Sequence, residues 1–304
     1  IDGTVVLVGG LRIVLVESRV FALDATTGVW SDRSPLPEPR AAFATAVVGD
    51  RIFVIGGIGP APYSEQGSVM VYHSGADLWT RLDDLPTPRW GLAAAVLDGK
   101  IWAVGGVQGV EADDEVLLPT VEILDPATGE WTAEKATLEL PVARAGLAVV
   151  ASAGRLWAIG GRGDDGVVSG RVDLWDPALR TWVQQPSLTV PRAHHAAAAV
   201  DGEVHVFGGF DERGTAVECV ETFAGGWSKV GRMPAALYGL AAAQAGDRVY
   251  LSGGARAADV ASVMVYSPTV YSYWADVASH VAGGNGSQWR TTGSAVNGGD
   301  GPAQ

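Results

Sequence analysis

Six Gly-Gly doublets punctuate this chain, each followed by a tryptophan, and that recurrence constrains the fold more than any other feature. The doublets are Gly9-Gly10, Gly56-Gly57, Gly105-Gly106, Gly160-Gly161, Gly208-Gly209 and Gly253-Gly254; the tryptophans are Trp30, Trp79, Trp131, Trp182, Trp227 and Trp274. Successive doublets lie 45 to 55 residues apart. A unit of that length cannot bury its apolar face alone, so neighbouring units must pack side by side. A valine stands ten residues before five of the tryptophans (Val20, Val69, Val121, Val172, Val217) and eleven before the sixth (Val263). The interval predicts one hairpin repeated six times.

Each unit reads as four short strands. In the second, Ala41–Val48 is a run of small and branched residues, Arg51–Ile55 ends at the doublet, Val69–Tyr72 follows, and Leu78–Leu82 carries the tryptophan. Turn residues such as Gly49-Asp50 and Ser74-Gly75 separate them, as hairpins need. Small residues fill the first strand of other units (Ala93–Ala95, Ala196–Ala199, Ala241–Ala243), which suits six sheets converging on an axis. The predicted fold is an all-β, six-bladed propeller of four-stranded antiparallel blades, with the tryptophans in the seams between blades. The doublets supply backbone angles that a Cβ would obstruct.

The combination resembles the kelch-repeat β-propellers. The resemblance rests on the doublet, the later tryptophan, an arginine opening the inner strand, and the hairpins Asp125-Pro126 and Asp176-Pro177, and it covers roughly residues 1–296. The WD-repeat propellers carry Gly-His and Trp-Asp signatures, and neither dipeptide recurs here.

Composition agrees with a single domain over 1–304, of which 297–304 is a tail. No run of 18 apolar residues occurs, so no membrane span is expected. Net charge is −13 with three lysines, which argues against nucleic acid, because phosphate contacts need a basic face. One cysteine excludes an intramolecular disulfide. The Ala/Arg-rich, Lys-poor composition favours a soluble cytoplasmic chain over a eukaryotic secreted one, in which Asn285-Gly286-Ser287 would be a glycosylation sequon. The chain opens at Ile1 inside a strand, so a removed leader or a fused domain stays open. A closed ring is expected to be monomeric.

Spacing also suggests how the ring closes. The N-terminal unit begins at a second strand, Thr4–Val8, with no inner strand before it. Near the other end, Arg290 is followed by Thr291–Val296, an inner-strand pattern. Residues 290–296 are therefore expected to complete blade one and remove exposed edges. From arginine to doublet the interval is sixteen residues in four units, whereas the interval from the second glycine to the valine runs 10, 12, 15, 11, 8 and 9. In a meander, that connection and the one between blades emerge on the same face. This variable face is the expected binding face, and the kelch resemblance implies the same.

Arg40, Arg89, Arg144, Arg192 and Arg290 open five inner strands, with Leu237-Tyr238 in the sixth place. Two readings stand. Either the guanidiniums line a channel mouth and capture carboxylates or phosphates, or they pair with nearby carboxylates such as Glu38, Asp84 or Glu139. In some kelch adaptors, arginines at this position hold acidic peptides, which the resemblance carries over as an expectation. Trp90 and Tyr238 stand at the mouth in blades three and six, suited to a planar or apolar group. One of His194 and His195 should face the channel, by strand alternation. Phe210 and Arg162 follow doublets at the rim. The acidic run Glu111, Asp113, Asp114, Glu115 fits no known calcium loop. The expected ligand-binding set is thus Arg40, Arg89, Trp90, Arg144, Arg192, His194, Tyr238 and Arg290.

Enzymatic relatives were weighed residue by residue. Copper-radical oxidases of the kelch type need a Cys cross-linked to a Tyr, but Cys219 falls at the repeat position of Ala22, Val71, Ile123, Leu174 and Val265 and should be a buried core thiol. The iron-binding nitrile-specifier pattern Glu-x3-Asp-x3-His is absent. Sialate-epimerase relatives use channel Arg and Glu residues without metal, which these arginines permit. No zinc, nucleophile-elbow or phosphate-loop motif occurs. The expectation is a binding scaffold without metal or cofactor, taking a partner protein or an acidic small-molecule ligand. The alternative is an epimerase or lyase acting on an acidic substrate in the same mouth.

Overall fold

A computed structural model describes residues 4–12, 15–110, 114–132, 138–255, 262–268, 273–279 and 295–297. Among them every regular element is a strand, and the sheets form six blades in chain order. Blades two to five are four-stranded antiparallel meanders. Blade two comprises Ala44–Val48, Arg51–Ile55, Val69–His73 and Leu78–Leu82. No helix is long and apolar enough to cross a membrane among the described residues.

Pairing identifies the repeat unit better than spacing does. The residue before each doublet faces a valine: Val8 pairs with Val20, Ile55 with Val69, Val104 with Val121 and Ile159 with Val172. In blade five Phe207 pairs with Val220, not Val217. Its outer hairpin is three residues shorter, turning at Ala224–Gly226, so the ten-residue interval from Val217 to Trp227 does not mark the equivalent position. The connection after Gly209 therefore spans eleven residues to Val220, as long as that of blade four.

The tryptophans lie in the seams. Trp79 and Met70 of blade two cluster with Val6, Val8 and Val20 of blade one. Trp131, Trp182 and Trp227 do the same for the next three junctions. Each indole also reaches back to a carbonyl of the preceding connection: Trp79 Nε1 to Ser34 at 2.8 Å, Trp131 to Asp83 at 3.2 Å, Trp182 to Leu138 at 2.8 Å, Trp227 to Pro186 at 2.9 Å. A large apolar side chain with one satisfied donor suits such a seam. Tyr250, Val263 and Val265 of blade six pack on Val5, Leu23 and Trp30 of blade one, which closes the ring through side chains.

The expected closing strand is not where spacing put it. Blade one has three strands, and Ala295–Asn297 pairs with the outer strand of blade six, Val296 opposite Trp274. That edge offers a row of unpaired backbone groups as open as the one beside Thr4–Val8, and the short strand covers it. Residues 290–294, with Arg290, lie outside the described residues.

The doublets explain the rigidity of the blade junctions. In Gly105-Gly106 both residues have positive φ, +65° and +106°. The amide of Gly106 donates to the Arg144 carbonyl of the next blade at 2.9 Å. A Cβ on Gly105 would lie 2.6 Å from that same oxygen. Gly99 has a similar φ of +72° but nothing within 4 Å of its hypothetical Cβ. Gly99→Ala should therefore cost about 1–2 kcal/mol, the backbone penalty alone. Gly105→Ala should cost several-fold more or leave the chain unfolded, as urea denaturation of the two variants would read directly.

Candidate functional site

The four described arginines do not line a mouth. Arg40, Arg89, Arg144 and Arg192 are at most 1% exposed, among the most buried side chains of the molecule. Arg144 shows the pattern. Its Nη1 donates to the carbonyls of Gly160 and Arg171, both at 3.0 Å, and its Nη2 to Asp173 Oδ2 at 2.7 Å. Arg192 repeats this with Gly208, Cys219 and Glu221, the last a very close ion pair. Arg89 pairs with buried Glu122 at 3.0 Å. Arg40 uses Glu38, at 2.6 Å, together with Ser68. Burial lowers the pKa of Arg40 and Arg89, and brings Arg144 down to about 10, against the opposing pull of its carboxylate. Arg144 therefore stays charged at neutral pH.

This corrects the channel-mouth reading. The arginine sits at the start of the inner strand as expected, but its side chain runs into the blade, where it meets the carbonyl of the first doublet glycine in blades two, four and five and that of Ala103 in blade three. A buried cation is tolerated only when paired and fully hydrogen-bonded, and each partner comes from the third strand or the preceding connection. Blade six meets the same place with Leu237, fully buried in an apolar cluster with Met233, Leu240 and Phe207.

Cys219 is also corrected. It is half-buried rather than a core residue, and Arg192 Nη2 donates to its Sγ at 3.0 Å. The shortened hairpin shifts the register, so Cys219 occupies the place of Arg171 and Ser68, whose carbonyls serve the arginines of their own blades.

Two residues after each arginine position, the chain turns through left-handed φ: Ala42 at +53°, Gly91 at +62°, Gly146 at +61°, His194 at +51° and Gly239 at +67°. Their backbones join head to tail around the axis. Gly91 donates to Ala42 at 2.8 Å, Gly146 to Gly91 at 2.9 Å, His194 to Gly146 at 2.7 Å and Gly239 to His194 at 2.7 Å. Sequence reading did not find this ring, because its bonds join residues about fifty apart.

Four of the five described ring positions are Gly or Ala. The fifth is His194, whose imidazole lies over Gly146, 2.8 Å from where a Cβ would stand, and stacks on Phe210 at 5.3 Å. Phe210 in turn meets the Tyr238 ring edge-on at 5.7 Å. Burial, then Arg162, lowers the His194 pKa, so the ring is neutral at pH 7. His194, Phe210 and Tyr238 are all partly exposed and form one aromatic group across blades five and six. Trp90 is not part of it. Its Nε1 donates to the Gly109 carbonyl at 2.7 Å, and it packs with Val107, Leu117 and Ala145 at the junction of blades three and four. Glu115 of the acidic run pairs with Arg162 at 3.2 Å, while Glu111 and Asp113 lie outside the described residues. No cluster of three or more His, Cys, Asp or Glu is placed for a metal among the described residues.

Two predictions follow from these buried groups. Arg89→Leu leaves Glu122 charged and unpaired, so it should cost about 3–5 kcal/mol, and Arg89→Leu/Glu122→Leu should recover most of that in urea melts. His195, beside His194, is fully packed. Neither ring nitrogen has an aligned partner, and burial, then Arg192, lowers its pKa to about 3. An unfolded histidine binds its proton near about 6.5. Between these values the unfolded chain holds the extra proton, so stability rises with pH there and is lost on acidification. The slope is at most about 1.4 kcal/mol per pH unit, and His195→Leu should flatten it.

Known proteins agree with the fold. The model described as "KLHDC2/KLHL20/DRC7 Kelch-repeats domain" matches residues 1–209. Kelch-like protein 25 of Xenopus tropicalis is 28% identical over 260 residues, 83% of this chain and 42% of that protein. Human Kelch-like protein 24 is 34% identical over 39% of this chain and 19% of its own length. Kelch repeat and BTB domain-containing protein 1 of cowpox virus is 24% identical over 50% of this chain and 28% of its own length. The chain thus spans less than half of each of these relatives. A solved structure titled "Structure of YjhT" superposes with a TM-score of 0.78 at 18% identity, over 90% of this chain and 94% of that one. With a family model covering more than half its length and the doublets and tryptophans recurring through six blades, this chain belongs to the kelch-repeat β-propeller family.

Proposed function

We propose that this chain is a protein-interaction scaffold whose variable loop face, centred on the aromatic group His194, Phe210 and Tyr238, seats a partner. One observation carries this reading: His194 holds a left-handed backbone conformation at a ring position that is Gly or Ala in the other described blades. That conformation costs a residue with a Cβ about 1–2 kcal/mol. Ala42 bears the same cost, so what sets His194 apart is its large, partly exposed ring stacked on Phe210 where the other described blades place Gly or Ala. The kelch-like relatives support a partner of protein nature. The loops around this group also vary in length on a rigid base, as binding loops do.

The acidic-ligand version of this reading rested on the arginines, and so did the epimerase or lyase alternative. With Arg40, Arg89, Arg144 and Arg192 buried and ion-paired, neither draws on them. Trp90 supports the loop of blade three, and Tyr238 and His194 remain as contact residues.

The test separates function from folding. His194→Gly should keep or raise the melting temperature, because it relieves the strained φ, and should weaken partner capture. Tyr238→Ser should weaken capture as well. Arg51→Ala, on the opposite face, should leave it unchanged. Partner capture by the intact chain from a source lysate, quantified for the four proteins in parallel, reads the result. Equal capture by all of them would refute the loop-face site.

A further inference from the structure

The loop face has a second character besides its aromatic group. Apolar side chains stand exposed on it: Tyr63 at 39%, Val116 at 56%, Val142 at 43% and Val167 at 50%. They lie on the loops or connections of blades two, three and four, which share one face. The amides of Leu85, Leu140 and Leu188 each donate to the neighbouring loop, at Gly67, Pro119 and Gly170. Val116 stands on a short strand paired with Val107-Gln108, and Val142 and Val167 lie outside the strands. All three are exposed on the loops and connection of blades three and four, where they offer apolar contacts to another chain.

Charge says what kind of chain. The blade four loop carries Asp164 and Asp165, both exposed, and the blade five loop carries exposed Glu212. None of the three takes part in a described ion pair. The cations nearby are mostly engaged: Arg162 holds Glu115 at 3.2 Å and Arg171 holds Asp173 at 2.8 Å. Exposed Arg213 is the exception, beside Glu212. The four inner-strand arginines add nothing to this face, since they are buried and neutralised inside the blades. Net charge of −13 extends the same sign over the whole molecule. Nucleic acid and anionic membranes are repelled by such a field, and a basic partner is steered into it.

We propose that the partner segment on the loops of blades three to five is a cationic, apolar-containing stretch of polypeptide. Its Lys or Arg side chains lie over Asp164, Asp165 and Glu212, and its apolar side chains over Val116 and Val167. This rests on the loop-face reading above and adds the chemistry of the partner. The choice of Asp at 165 also orders the surface, because its carboxylate accepts the Val167 amide at 3.0 Å and holds the valine outward on its turn.

The experiment uses the intact chain and short fluorescein-labelled peptides: alternating lysine and leucine, alternating glutamate and leucine, and alternating lysine and serine. Anisotropy titrations at physiological salt should show the lysine–leucine peptide binding more tightly than either control. Asp164→Asn/Asp165→Asn/Glu212→Gln should weaken it about tenfold, from three exposed charge pairs. Val116→Ser/Val167→Ser should erase the preference for leucine over serine. Asp98→Asn/Asp201→Asn/Glu203→Gln, which removes equal charge from the opposite face, should change nothing. Melting curves confirm that each variant is folded. If the glutamate–leucine peptide binds better and depends on Val116 and Val167, the loop face stands and the cationic partner is wrong. If the opposite-face variant loses as much affinity as the loop variant, the attraction is net charge alone, and both readings fail.

Discussion

Everything in this propeller hangs on the junction between a buried arginine and a pair of glycines. In blades two, four and five the arginine side chain satisfies the carbonyl of the first glycine in its own blade, Arg89 turns to the Ala103 carbonyl instead, and all four backbone carbonyls accept from the second glycine of the blade before. One residue therefore fixes both the internal turn of a blade and the step to its neighbour. A cation fully removed from water is costly, so each has a carboxylate: Glu38, Glu122, Asp173 or Glu221. The arrangement is a specificity device more than a source of stability. An apolar group can replace it, as Leu237 does in blade six, but a half-removed pair cannot be tolerated.

The tryptophans and the ring of left-handed residues complete the frame at larger and smaller radius. Outside, the indoles of Trp79, Trp131, Trp182 and Trp227 each span a seam and donate to the previous connection, tying two blades with one side chain. Near the axis, successive peptide groups bond around the ring from Ala42 to Gly239. The two devices hold the loops of one face on a base that does not change with loop length. Variation can then accumulate where the loops face solvent without disturbing the core, and at the ring itself His194 places a partly exposed imidazole where the other described blades have Gly or Ala.

The arginines carry the main lesson about reading sites from sequence. Their period placed them at the right strand ends, and two readings were open, a charged mouth or internal bracing. Periodicity gives position along the chain but not the direction of a long flexible side chain. What decides direction is the neighbour it meets, here a glycine carbonyl sixteen residues later and a carboxylate nearly thirty residues later. With the arginines turned inward, they add no charge to the loop face, where Asp164, Asp165, Glu212 and Arg213 are exposed. Cys219 and Val217 teach the same point on a smaller scale: a hairpin shortened by three residues moves the register, and counting back from Trp227 lands on the wrong strand position.

The sequence alone determined the number of blades, the glycine turns, the tryptophan seams and which face varies. These follow from local chemistry repeated six times: positive φ at Gly-Gly, alternation along short strands, and the need of each unit to bury its face against the next. Tertiary structure decided the rest. It alone showed that Arg40, Arg89, Arg144 and Arg192 point into the blades and that His194, Phe210 and Tyr238 meet while Trp90 stands elsewhere. It also set the edge that Ala295–Asn297 covers. The physical reason is the same in each case: burial, ion pairing and edge pairing depend on partners distant in the chain, and their positions exist only once the ring has formed.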